Sequence, residues 1–336
     1  MQIFRTLLLR LATTAVTLVG AAVIVFFVIR VVPGNPIAMM LPPGATEDDI
    51  RRLTALYGFD KSIPEQFVIW AGGVLSGDFG MSITARQPVL DLVLGRLPAT
   101  LELSLMALVI AVFIGGVSAL TGTRERGTRI EAAIDVSNGM ALSVPDFLWG
   151  LILVLVFGVA FPIFHISGRI TPSLDLPFST DFYLIESVIR LRFDLWLDLV
   201  SHMLLPALAL AIPLAAIISQ LLKQSLKETM HLDYVTLSRT KGYGETHVIT
   251  REALPNAILP TLTLVGVQFT FLIGGTVIIE RLFSYEGLGN MAIDAVINRD
   301  LPLIQGIVLL FALIFTCVNL AVDLLYAVLN PRLRHA

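Results

Sequence analysis

The chain has 336 residues, of which 56% are apolar and 15% charged, with a formal net charge of -3. A soluble domain carries about a quarter charged residues, so this balance excludes an ordinary water-soluble fold and suits hydrocarbon. The small net charge without a long basic run argues against nucleic acid as a partner, the single cysteine (Cys317) excludes an internal disulfide, and the five histidines (His165, His202, His231, His247, His335) show no metal-ligand spacing, so the chain itself is expected to hold no metal or cofactor.

A helix rises about 1.5 Å per residue, so roughly 20 apolar residues cross the ~30 Å of hydrocarbon in a bilayer. Six blocks meet that length: Leu11 to Ile29, Leu103 to Gly122, Val136 to Ile163, Met203 to Leu222, Ile258 to Ile279, and Leu303 to Val328. They are apolar on all faces rather than alternating, which predicts an all-α membrane protein with six transmembrane helices and not a β-barrel. The first block follows Arg5 and Arg10 as a secretory signal would, but it is too long, has no small-x-small cleavage site and precedes further spans, so it reads as an uncleaved helix.

The segment 30–96 between the first two spans exceeds a connector. One helix is expected from Thr46, whose hydroxyl can cap the amide of Asp49, to near Gly58, and another from Pro64. In the second, Phe67, Trp70, Ala71 and Val74 recur at helical spacing and predict a face packed on the rest of the chain or on another protein.

Carboxylates in or near spans are costly and normally face a partner, a cavity or the interface. Glu102 and Asp323, near span ends, read as interfacial or structurally paired, while Asp146 lies deeper and follows Pro145, where a kink would leave backbone to be satisfied. Asp146 is therefore a candidate either for a translocation path or for bonding that backbone. In the fifth span, Gly266, Gly274 and Gly275 suit close helix packing, and Gln268 is a second candidate for the path.

Loop charge sets the orientation. With both termini cytoplasmic, the inner segments hold 12 Lys+Arg and 7 Asp+Glu, and the outer ones, nearly twice as long, hold 11 and 16. Basic density is thus higher inside, as the positive-inside rule requires.

The longest inner loop, 223–256, lies between the fourth and fifth spans. Met230, Tyr234 and Leu237 fall at i, i+4 and i+7 and predict an apolar strip on a helix that Gly242 stops. A second short helix is expected from Glu245 to Leu254, with Pro255 breaking the chain before the fifth span. Such a strip either lies against the chain's own inner surface or fits a groove on a separate protein; pattern alone leaves both open. No Gly-x-x-x-x-Gly-Lys-Ser/Thr loop occurs, so nucleotide phosphate has no cradle here, and Asn290 after Gly287-Leu-Gly289 stands where a Gly-x-Gly-Asp protease would need aspartate.

The run Asp233-Tyr-Val-Thr-Leu-Ser-Arg-Thr-Lys-Gly242, nine residues, then Glu252-Ala-Leu-Pro255 resembles the coupling loop of ATP-binding-cassette (ABC) importer permeases, whose pattern is Glu-Ala-Ala, three residues, Gly, nine residues, Ile-x-Leu-Pro. Thr236, Leu237 and Ser238 stand at the Glu-Ala-Ala positions and Glu252 at the Ile, while Gly242, Leu254 and Pro255 match. Val32-Pro-Gly-Asn-Pro36, Leu97-Pro-Ala-Thr-Leu-Glu-Leu103, Ser143-Val-Pro145, Glu280-Arg-Leu-Phe-Ser-Tyr-Glu-Gly-Leu-Gly289 and Asp323-Leu-Leu-Tyr-Ala-Val-Leu-Asn-Pro-Arg332 are similar to patterns of the oligopeptide, dipeptide and nickel branch, B-type subunit.

This resemblance implies a type I ABC importer permease (MetI-like) fold, a single permease domain over 1–336 with an extracytoplasmic loop at 30–96, and a place in the bacterial inner membrane. It implies a non-catalytic subunit forming half of a pore with a second, related permease, two ATPase subunits that bind ATP and Mg, and an extracytoplasmic solute-binding protein. Tyr234, Leu237, Ser238, Gly242, Leu254 and Pro255 would belong to the ATPase-coupling loop. Di- or oligopeptides are the expected solutes, with nickel or a glutathione-like solute as alternatives. The rivals are a proton-coupled secondary transporter working through Asp146 and Glu102, for which six spans are few and no inverted repeat is visible, and a membrane scaffold without transport.

Overall fold

A computed structural model describes residues 2–31, 46–48, 51, 54, 60–174 and 178–329, with side chains not described for 2–11, 28–31 and 323–329. The described residues are helical throughout their regular parts, apart from one isolated bridge between Met81 and Pro88. In order, α1 spans Gln2–Val31, α2 Ile63–Leu75, α3 Val89–Arg124, α4 Arg129–Ser143, α5 Asp146–Leu153, α6 Tyr183–Ile189, α7 Phe193–Thr229, α8 Asp233–Thr240, α9 Leu254–Leu282, α10 Leu288–Ile297 and α11 Leu301–Leu329. Helices at 89–124, 193–229, 245–282 and 301–322 are long and apolar enough to cross a membrane.

Two compact units are formed, one from 1–97 with 291–317, the other from 98–290 with 318–336. In the first, Phe67 and Trp70 of α2 pack on Phe26 of α1, with ring centroids 5.1 and 5.3 Å apart, so the aromatic face read from the sequence is used within the chain. Buried Asp300 accepts from the Ser82 hydroxyl at 2.5 Å, from the Thr84 amide at 3.0 Å and from the Leu303 amide at 3.3 Å, and so caps α11 while fixing the 82–84 turn. The helix expected from Thr46 to near Gly58 falls mostly outside the described residues, as do the Val32–Pro36 motif and the side chain of Asp323.

The second unit is organised on α7, whose buried face runs almost its full length and packs against α4, α5, α6 and α9. Ala99, Leu103, Ala107 and Ala111 of α3 are buried at four-residue spacing. A Cβ added at Gly115 would lie 2.6 Å from the Ala215 carbonyl, so α3 and α7 meet backbone to backbone because the facing residues are small. Toward the other end of these helices, Asn138 donates to the Ser219 hydroxyl at 3.0 Å, and Lys223 pairs with Glu131 and Asp135 at 2.7 and 2.8 Å.

Two sequence expectations are corrected here. The third block is not one continuous span: α4 and α5 are separate helices bent by 103°, because Val144 is extended and Pro145, which cannot continue an i→i−4 ladder, opens a new helix. The glycines of the fifth span do not act alike. A Cβ at Gly266 would meet Val322 at 2.6 Å, a true close contact, whereas Gly274 and Gly275 have nothing within 4 Å and open away from the chain.

Candidate functional site

The loop 223–256 folds into a compact piece with its own small core. The last turns of α7 deliver Leu222, Leu226 and Met230, α8 adds Val235, and the returning segment adds Val248, Ile249, Ala253 and Ala257, all buried together with Ala119 of α3. α8 starts at Asp233 after a break at Met230–Leu232, and so does not include Met230 as the expected strip requires. Its buried side is Val235 and Ser238, whereas Tyr234 is 37% and Leu237 54% exposed, so the strip is split: Met230 faces inward, Tyr234 and Leu237 outward. Leu232 and Tyr243, 48% and 49% exposed, extend the outward apolar set. The Tyr234 hydroxyl accepts from the Asn256 side chain at 2.9 Å, which fixes the ring across the hairpin.

Gly242 ends α8 with φ +84°, its amide donating to the Arg239 carbonyl at 3.0 Å. That left-handed geometry is open to glycine and resisted by branched residues, so the stop read from sequence has a backbone cause. Arg239 then pairs with Glu245 at 2.8 Å, closing the turn that Tyr243 and His247 stack across at 4.6 Å.

Pro255 does not break the chain, contrary to expectation. Residues Glu245–His247 are α-helical, Val248–Ala253 form a π-helical segment, and Leu254–Leu282 follow without interruption, with Pro255 in the first turn of α9. A proline clashes with the carbonyl four residues back, and the wider π turn over Val248–Ala253 moves that carbonyl away. Leu254 is half-buried against the small core and Pro255 is exposed.

The two path candidates lie elsewhere. Asp146 is the first residue of α5, half-buried, with its carboxylate accepting from the Phe147 amide at 2.7 Å, so it bonds backbone freed at the bend. Gln268 is half-buried in the middle of α9.

Three polar clusters escaped the sequence reading. Glu102 is paired with buried Arg169 at 2.9 Å and accepts from the Leu184 amide at 2.9 Å, while Arg169 lies 3.9 Å over the Tyr183 ring, which pins the 161–192 segment to α3. This is the structural pairing expected of Glu102, but its partner 67 residues away had no local signal. Glu280 is fully buried and accepts from Thr100 at 2.7 Å and from the Asn290 amide at 3.0 Å. A Cβ at Gly287 would come within 2.4–2.6 Å of that carboxylate, and one at Gly289 within 2.5 Å of Val277, so the Gly-Leu-Gly of the Glu280–Gly289 motif is the space the carboxylate needs. Finally, His165 and His202, 37 positions apart in the chain, stack with ring centroids at 3.9 Å beside Asp198, so the histidines are less scattered than their spacing suggests.

Comparison with known proteins agrees with this architecture. Residues 105–335 match the family "Binding-protein-dependent transport system inner membrane component", and residues 3–104 match its N-terminal companion. The dipeptide transport system permease protein DppB of Escherichia coli strain K12 is 36% identical over 98% of both chains, and the di/tripeptide permease DppB of Pseudomonas aeruginosa strain UCBPP-PA14 34% over 97% of both. The glutathione transport system permease protein GsiC of E. coli K12 is 32% identical over 95% of both. Among solved structures, the MetNI methionine ABC transporter in an inward-facing form matches at TM-score 0.53 with 12% identity, covering 69% of this chain and 93% of that one, a likeness of fold. With residues 3–335 matched by the two family models and nearly the whole chain by relatives above 30% identity, the chain belongs to the binding-protein-dependent transport system inner membrane components.

Proposed function

We propose that this chain is the permease subunit of an ATP-driven importer of di- or oligopeptides, and that residues 223–256 are the piece through which ATP-hydrolysing partners drive it. The observation that carries the proposal is the coupling-loop geometry: Tyr234 and Leu237 stand exposed on a hairpin whose opposite side is locked into its own core. A rigid body with an apolar outer face transmits a push from a partner into α7 and α9, which enter it without a break. The solute follows from the relatives, which are named for dipeptides, di/tripeptides and glutathione, itself a small peptide.

In this reading the chain crosses the membrane six times with both termini cytoplasmic, and the bent α4–α5 pair is one crossing. It lines half of a pore beside a second, related permease, with an extracytoplasmic binding protein delivering solute and two ATPase subunits binding ATP and Mg. The chain itself is non-catalytic. ATP closure of the ATPase pair moves both hairpins and opens the pore outward, alternating access by rocking of bundles. Asp146 and Gln268 are the residues of this chain assigned to the path.

The test replaces Leu237 with Ser and Tyr234 with Ser in the assembled transporter reconstituted in vesicles. Both residues are exposed, so the subunit stays in the membrane while ATP-driven uptake of a labelled dipeptide falls at least tenfold. Normal uptake in the double variant overturns the coupling role; uptake that survives ATP depletion and collapses with the proton gradient favours a secondary transporter instead.

A further inference from the structure

The stacked histidines lie outside the loop 223–256 and away from Asp146 and Gln268 in the sequence. His165 sits on the segment after α5, and Asp198, Ser201 and His202 lie at i, i+3 and i+4 on the first turns of α7, so one helix face meets one loop. One candidate ligand atom from each of His165, Asp198 and His202 lies within 4.8 Å of the other two. His165 is exposed, Asp198 half-buried and His202 buried.

The hydrogen bonds decide which nitrogens carry lone pairs. His202 Nδ1 is 2.9 Å from the Asp198 carbonyl, which can only accept, so Nδ1 holds the proton. The Ser201 hydroxyl gives its one hydrogen to the same carbonyl at 2.7 Å, so toward His165 Nδ1, 2.9 Å away, Ser201 must accept and His165 must donate. With the proton on Nδ1 in each ring, Nε2 of the neutral form carries the free lone pair. Asp198 stands behind His202, with Oδ2 at 3.5 Å from Nδ1, and its own two oxygens are fixed by the Thr171 amide at 2.9 Å and hydroxyl at 2.7 Å. A carboxylate or carbonyl on Nδ1, itself held in place, is the support that orients imidazole ligands of metal ions.

We propose that His165 and His202, backed by Asp198, bind one divalent first-row transition ion of the class that imidazole prefers, Zn²⁺, Cu²⁺ or Ni²⁺. Because the rings are stacked at 3.9 Å with only 7° between their planes, one ring must turn for both lone pairs to reach the ion. His165, at the surface, turns by giving up its bond to Ser201, while His202 stays fixed by the core. A bound ion ties the segment 161–171 to the start of α7 through two bonds that are independent of the Arg169–Glu102 anchor. The inference does not rest on the transport reading, since the site lies in neither the coupling loop nor the assigned path.

The test uses the full-length chain purified without a histidine tag in detergent and titrated with Cu²⁺ alone, read by calorimetry and by electron paramagnetic resonance. The expected result is one saturable site per chain whose spectrum shows two imidazole nitrogens. His165→Gln, at an exposed position that leaves the fold intact, abolishes the two-nitrogen signal and weakens binding at least tenfold. Asp198→Asn weakens it by about 10- to 100-fold, the effect of losing a supporting carboxylate. His231→Gln and His247→Gln change neither readout. Binding that is unaffected by His165→Gln, that falls equally with His231→Gln, or that is absent altogether overturns the proposal and leaves His202 as a core histidine satisfied by its own helix.

Discussion

At the scale of single residues, glycine is required for two different reasons, backbone conformation and close packing, and carboxylates sit where donors converge. Gly242 tests the first kind by conformation alone, since its φ is +84° yet nothing lies within 4 Å of an added Cβ. Asparagine and aspartate visit the left-handed region far more readily than branched residues, for which it costs about 1–2 kcal/mol or more. Gly242→Val is therefore expected to lower ATP-driven uptake more than Gly242→Asn, with equal amounts of both in the membrane by immunoblot. Gly287 tests the opposite cause: Gly287→Ala puts a methyl against the buried Glu280 carboxylate and is expected to lower the melting temperature of the purified chain, whereas Gly274→Ala, in open space, leaves it unchanged. Glu186 illustrates the carboxylates. The Thr180 hydroxyl, the Ser179 amide and the further Ser179 and Thr180 donors hold it at a pKa of about 2, below the usual 4.5. A depressed carboxylate stabilises the fold fully above its unfolded value and loses that contribution as pH falls toward its folded one. Protection of the 178–192 turn from proteolysis is thus expected to weaken between pH 4.5 and about 2, and Glu186→Gln to remove this pH dependence.

At the scale of elements, four of the six expected spans are single long apolar helices among the described residues, legible because twenty apolar residues in a row have one physical use, and Phe67 and Trp70 were legible because helical spacing puts them on one face. The helical hairpin at 223–256 was legible in outline for a different reason, its order of glycine, leucine and proline. Its inside and outside were not, since Met230, Tyr234 and Leu237 fit one helical stripe only if the helix is continuous, and a break at 230–232 turns α8 so that Val235 faces in. Pro255 was misread because the rule that proline ends a helix assumes an i→i−4 ladder behind it, and here the ladder is π-helical over Val248–Ala253. The Glu102–Arg169, Thr100–Glu280 and His165–His202 pairs join segments 37 to 180 positions apart, and no local pattern encodes such a distance. If the hairpin is the lever proposed above, weakening the small core behind α8 should uncouple it without touching the outer face. Ile249 is 2% exposed in that core, and Ile249→Ala removes three carbons at a cost of about 2–5 kcal/mol. The expected outcome is basal ATP hydrolysis by the assembled complex that continues while uptake per ATP falls several-fold.

At the scale of the whole molecule, orientation rests on charge density, and it can be read independently of transport. Basic residues are denser in the loops between the second and third blocks and between the fourth and fifth than in the segments assigned outside, where Arg169 pairs with Glu102 and Glu186 holds its turn. If the positive-inside bias governs insertion, Lys241 and Arg126 lie in the cytoplasm and Arg190 and Phe182 outside. All four residues are exposed, so cysteine at each is reachable without disturbing packing once Cys317, the only native thiol, is replaced by Ser. Cells treated with a membrane-impermeant maleimide should label the Phe182→Cys and Arg190→Cys variants, and label Arg126→Cys and Lys241→Cys only after the membrane is opened. Labelling of Lys241→Cys in intact cells would put the coupling hairpin on the side where no ATP is made. The ATPase-driven account would then fail even though the fold, the small core and the family membership remained as described.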